Sequence, residues 1–103
     1  MKNKLSNYLH SYLNEYLAVQ KNASQNTIKT YKYTFNIFLL FCIETKNNDI
    51  QDISLDTFNK DTILEFLDYL ENTRHNSVAT RNNRLKQICS FLKFVYPHST
   101  RIQ

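Results

Sequence analysis

Residues 80–95 read TRNNRLKQICSFLKFV, with two arginines, two lysines, two asparagines and a glutamine but no acidic residue. Leu85, Ile88, Leu92 and Val95 recur at helical spacing, so the stretch is a helix whose apolar stripe, flanked by Cys89 and Tyr96, belongs to a packed core. Burying four such aliphatics is worth roughly 6–12 kcal/mol gross, most of it offset by chain entropy. Thr80, Asn83, Lys86 and Gln87 fall on the opposite side of the early turns, with Arg81 and Arg84 at the margins. Pro97 ends the helix near Tyr96. The open question is whether this basic face is an ordinary wet surface or one shaped for a negatively charged partner.

The rest of the chain argues for a small all-α protein. At 103 residues there is room for one domain, which buries about two thirds of its unfolded surface around a single core. There is no glycine, against a usual frequency of about one residue in fourteen, which excludes glycine-rich phosphate loops and dinucleotide-binding turns. With a single proline, long helices are expected, and asparagine must take the left-handed positions that glycine normally fills at their ends. No apolar run of signal-peptide or membrane-spanning length occurs. Cys42 and Cys89 fall among apolar neighbours, as buried thiols of a reducing compartment do. The expectation is a soluble, cytoplasmic chain.

Charge is segregated along the sequence. Successive blocks 1–20, 21–46, 47–72 and 73–103 carry +1, +3, −6 and +6. A surface of mixed charges would not sort in this way, so one basic face and one acidic flank are expected.

Four helices follow from periodicity. In the first, residues 4–19, Leu5 precedes the repeated pairs Tyr8-Leu9, Tyr12-Leu13 and Tyr16-Leu17, which form a broad apolar stripe with the tyrosine hydroxyls wet at its edge. Ser24 caps the second, in which Ile28, Tyr31, Phe35, Phe38, Leu39 and Cys42 face the core while Asn26, Lys29, Thr30 and Tyr33 point away. Residues 46–58 read as an irregular apolar connector containing Ile50, Ile53, Leu55 and Phe58. Asn59 caps the third helix, through Ile63, Phe66, Leu67 and Leu70, with Asp61 near its positive end. Ser77 caps the fourth. The second and fourth helices share a plan: a serine cap, a threonine three residues later (Thr27, Thr80), then a polar or basic outer face.

Catalytic constellations are missing from this reading. His10, His75 and His98 are far apart and have no cysteine or carboxylate at ligand spacing, and no tyrosine stands in a group that would stabilise a phosphoryl or acyl transition state. Asp68 and Glu71 read as solvated carboxylates rather than an acid and base pair. No metal, cofactor or small-molecule substrate is expected. Duplex DNA, by contrast, needs lysines and arginines on its phosphates and amide, hydroxyl or guanidinium groups at base edges. Lys29, Arg81, Arg84 and Lys86 suit the first task, with Lys93 further along; Asn26, Thr30, Asn83 and Gln87 suit the second.

TRNNRLKQICSFLKFVYP resembles the last helix of the core-binding domain of the tyrosine recombinases, the phage-integrase family, with its T-x-N-x-R-L-x-x-I-x-S-F pattern. Ser24, Thr27, Ile28, Tyr31, Phe38 and Phe41 in SQNTIKTYKYTFNIFLLF resemble its second helix, and DTILEFLDYLE its third. The resemblance covers essentially residues 1–103 and is most specific in the last helix. It implies a four-helix SAM-like domain of two crossed helical hairpins that forms one jaw of a clamp on double-stranded DNA, its second and fourth helices entering the major groove. It implies DNA-facing roles for Thr27, Lys29, Thr30, Tyr33, Thr80, Asn83, Arg84 and Gln87. In that family the first helix often meets a neighbouring protomer, which would give the tyrosine stripe and an outward-looking Phe94 a second use. The arginine, lysine, histidine-x-x-arginine and tyrosine of the catalytic domain have no match in these residues, so no DNA cleavage is expected from them alone. Two other readings stand beside it: a protein-interaction module using the Tyr-Leu stripe or the acidic third helix, and a helix-turn-helix regulator, disfavoured by the long connector before Asn59.

Overall fold

The computed structural model describes residues 4–97, and His98 of the readings above lies outside them. The chain is all-α, with no strand among the described residues. Helix α1 (Lys4–Ser11) continues without a break as a π-helix (Tyr12–Gln20); α2 (Gln25–Glu44), α3 (Lys60–Asn72) and α4 (Val78–Val95) follow, with two short 3-10 turns, Ile50–Asp52 and Leu55–Thr57, between α2 and α3. The first segment pairs with α2 and α3 with α4. Contact of α2 with α4 joins the two crossed hairpins.

Polar side chains start the helices as their positions require. Ser24, Asn59 and Ser77 each adopt extended backbone and accept a hydrogen bond from the amide of Thr27, Thr62 and Thr80 respectively, satisfying a donor that the helix leaves orphaned. The ends are equally regular. Asn22, Asn47 and His75 have φ of 51°, 58° and 58°, and the residue after each donates its amide six positions back: Ala23 to Leu17 O, Asn48 to Cys42 O and Asn76 to Leu70 O. This is a left-handed helix closure one residue wider than the Schellman motif, in which the corresponding amide reaches five positions back. Without glycine, two asparagines and one histidine occupy its left-handed position.

The first segment departs from the expected uniform α-helix. A repeat of four residues drifts about 40° per step around a 3.6-residue turn, which would carry the Tyr-Leu pairs off the core. The wider π winding from Tyr12 onward, with more than four residues per turn, drifts the opposite way. Leu5, Leu13 and Leu17 are consequently all buried.

The wet-hydroxyl expectation fails at Tyr12. Its side chain is fully buried, and its hydroxyl bonds Ser90 Oγ at 2.6 Å. Phe94 is not outward-looking either: it is half-buried, 5.3 Å from the Tyr12 ring and 5.1 Å from that of Tyr16. The core is an aromatic stack around α2, with Phe38 on Phe58 at 4.4 Å, Phe35 against Phe91 at 5.1 Å and Phe38 edge-on to Phe66 at 5.1 Å. Phe91, omitted from the sequence-derived stripe of α4, is fully buried, whereas Leu85 is only half-buried. The connector is less irregular than expected, since its two turns press Ile53 and Phe58 into the core while Ile50 stays exposed.

Candidate nucleic-acid interface

The twin helix starts agree in atomic detail. Ser24 Oγ accepts from Thr27 N at 3.1 Å and donates to Thr27 Oγ1 at 3.0 Å; Ser77 Oγ does the same with Thr80, both at 3.1 Å. On α2, Asn26, Thr27, Lys29, Thr30 and Tyr33 are all exposed. On α4, Asn83 and Lys86 are exposed, while Thr80, Arg81, Arg84 and Gln87 are half-buried.

The two faces meet where α2 crosses α4. The Arg84 guanidinium carbon lies 5.0 Å from the centroid of the Tyr33 ring, a cation–π distance. Arg84 Nη1 donates to Thr34 Oγ1 at 2.9 Å and its Nε to Asn76 Oδ1 at 3.4 Å. Thr34, fully buried, donates in turn to the Gln87 carbonyl oxygen. Tyr33 lies three or four residues beyond Lys29 and Thr30, and Arg84 four beyond Thr80. Each therefore shares the face of the polar residues before it, and their contact makes the two faces one surface.

Among the expected contact residues the structure makes a division. Arg81 Nη1 pairs with Glu71 Oε2 at 2.7 Å, and its Nε and Nη2 hold Asn82 Oδ1. Its charge is thus balanced by the acidic flank. Gln87 is engaged with Thr34, so its carbonyl acts between helices. Lys29 and Lys86 make no ion pair among the described residues. Thr30 donates its hydroxyl to Thr27 O at 2.8 Å and keeps acceptor capacity outward.

Arg74 was absent from the sequence-derived set. It is exposed in the turn between α3 and α4, and its Nη2 donates to the Tyr33 hydroxyl at 3.2 Å. A turn residue has no helical period to reveal which face it joins; only its place in the basic block 73–103 hinted at it. Hydrogen bonding to the Tyr69 and Tyr33 hydroxyls raises Arg74 above its ordinary range. Arg84 is lowered, first by burial and also by the neighbouring Arg74 charge, with Tyr33 acting the other way. No group of three or more histidine, cysteine or acidic residues suited to a metal occurs among the described residues, and no helix there is long and apolar enough to cross a membrane.

The family model described as the phage integrase N-terminal SAM-like domain matches residues 8–100. The chain belongs to the phage-integrase family. Two proteins of Sinorhizobium fredii are similar to this integrase domain. The candidate integrase/recombinase y4rD is 36% identical over 91 residues, 88% of this chain and 32% of the relative. The candidate integrase/recombinase y4rC is 33% identical over 103 residues, 96% of this chain and 31% of the relative. The integrase domain therefore spans about a third of the length of these relatives. No solved structure matches it.

Proposed function

We propose that this integrase domain grips duplex DNA for a site-specific recombinase, laying the outer faces of α2 and α4 against the major groove. The observation that carries the reading is the joining of two identically capped helix starts, neither with an acid in its first turn, into one surface at Tyr33 and Arg84. Lys29, Arg84 and Lys86 serve the phosphates, and Asn26, Thr30 and Asn83 stand where base edges are read. Strand exchange itself belongs to catalytic groups outside these 103 residues. Free thiols at Cys42 and Cys89 and a DNA partner fit work in the cytoplasm.

The protein-interaction alternative loses part of its Tyr-Leu stripe, because Tyr12 is committed to the core and Tyr16 is half-buried beside it, while Asp61, Glu65 and Asp68 of the acidic third helix stay exposed. Among the large hydrophobics of the first segment, Tyr8 and Val19 are exposed, and a contact with a neighbouring protomer would use these.

Fluorescence anisotropy with a labelled duplex across a salt series tests the DNA reading. Affinity should fall by about 0.9 log unit per tenfold salt for each phosphate neutralised. Lys29→Ala should weaken binding to every sequence, and Asn83→Ala should alter preference among sequences. The absence of salt-sensitive binding would sink the proposal.

A further inference from the structure

Arg74 and Arg84 come from different parts of the fold, a turn and a helix, and converge on one phenol ring. Arg74 reaches its hydroxyl at 3.2 Å and Arg84 covers its face at 5.0 Å. Neither guanidinium pairs with a carboxylate among the described residues. Arg81, one turn before Arg84 on the same helix, is instead neutralised by Glu71. Thr34 and Asn76 hold Arg84 by neutral acceptors, which orient its fork without cancelling its charge. A guanidinium has five N–H donors; one on Nη1 and both on Nη2 of Arg84 remain after these bonds. Because Arg74 donates to the Tyr33 oxygen, the phenol's own proton is left to donate outward. Two like charges set together, one of them half-buried, are unfavourable unless an anion joins them. The fork geometry of arginine suits a phosphate's oxygens.

We propose that Arg74, Arg84 and Tyr33 form a preassembled seat for one phosphate group, occupied in function by a backbone phosphate of duplex DNA. The proposal rests on the DNA-binding reading and deepens it, adding a turn residue that locks the register of both helices on the duplex.

Two measurements on the 103-residue protein test it separately from that reading. In the first, side-chain Nε–H resonances of the arginines are followed by NMR as inorganic phosphate replaces chloride at constant ionic strength. Arg74 and Arg84 should shift saturably while Arg81 stays in place; no shift, or a parallel drift of all three, would overturn the seat. In the second, duplex anisotropy across salt compares the unmodified protein with Arg74→Gln, whose exposed position makes the change tolerable to the fold, as a thermal melt would verify. A loss of about 5–10-fold in affinity, with the salt slope reduced by about 0.9, is expected. Unchanged affinity and slope beside normal binding by the unmodified protein would remove the seat from the DNA contact and leave the wider DNA reading standing. If the unmodified protein binds no duplex, the DNA reading and duplex occupancy of the seat both fall, and the phosphate titration alone decides whether the seat takes free phosphate.

Discussion

The Arg84 guanidinium lies over the Tyr33 ring, its central carbon 5.0 Å from the ring centroid, and this contact turns two separate helix faces into a continuous basic surface. Arg84 is held on one side by Thr34 and on the other by Asn76. Neither partner carries charge.

Replacing Arg84 should separate binding from folding. In Arg84→Ala, Thr34 retains its hydrogen bond to Gln87, so the stability loss should stay within about 1.5–3 kcal/mol, while duplex affinity drops at least tenfold. Arg84→Lys keeps a charge but loses the fork, and should restore only part of that affinity. Urea unfolding and anisotropy on the same preparations measure both; a large stability loss with unaltered binding would reverse the assignment.

Glu71 should act as a brake on DNA binding. It neutralises Arg81 across 2.7 Å, so Glu71→Gln frees a cation on the contact surface. Duplex affinity should rise, and the salt slope should steepen by up to about 0.9. Since the pair is partly exposed, the stability cost should stay within about 1 kcal/mol. A slope that does not move would mean Arg81 is turned away from the phosphates.

Tyr12 should govern alkaline stability. Burial pushes its phenol from 10.0 up to about 12, the Ser90 hydrogen bond only partly opposing this. The folded state thus favours the neutral phenol. Its stabilisation is complete below the unfolded pKa near 10 and is lost as pH rises through the folded value near 12. Denaturant midpoints should fall across that window in the unmodified protein and fall less in Tyr12→Phe. At neutral pH, Tyr12→Phe should cost about 1 kcal/mol for the lost Ser90 bond, or a Tm lower by about 4–8 °C.

His75 should be improvable. Its φ of 58° is a conformation that L-residues other than asparagine and aspartate rarely adopt without cost. His75→Gly should raise stability by about 0.5–1 kcal/mol after the entropy that glycine adds to the unfolded chain. His75→Val should lower it. Thermal melts of the two variants in opposite directions would confirm the strain; a common direction would refute it.

Helix positions, caps and the second and fourth outer faces were legible in the sequence because each depends on residues three or four apart. Ser24 with Thr27 and Ser77 with Thr80 are such local pairs, and so is the spacing that sets Lys29 and Asn83 outward. The π winding was not legible: a four-residue repeat drifts to one side of an α-turn and to the other side of a π-turn, and spacing alone does not choose. The roles of Arg81 and Gln87 were hidden for a different reason. Their partners, Glu71 and Thr34, lie on other helices, and helical period shows direction without showing what waits there.

What the amino-acid order determined by itself is the all-α class, the two matched basic helices and the glycine-free helix ends, all consequences of interactions within one or two turns. Only the tertiary structure decided which of those bases are free. Packing brought Glu71 to Arg81 and cancelled it, and brought Tyr33, Thr34, Asn76 and Arg74 around Arg84 with no acid among them. Charge in the sequence is a count, whereas charge available to a partner depends on what the fold has already set beside it.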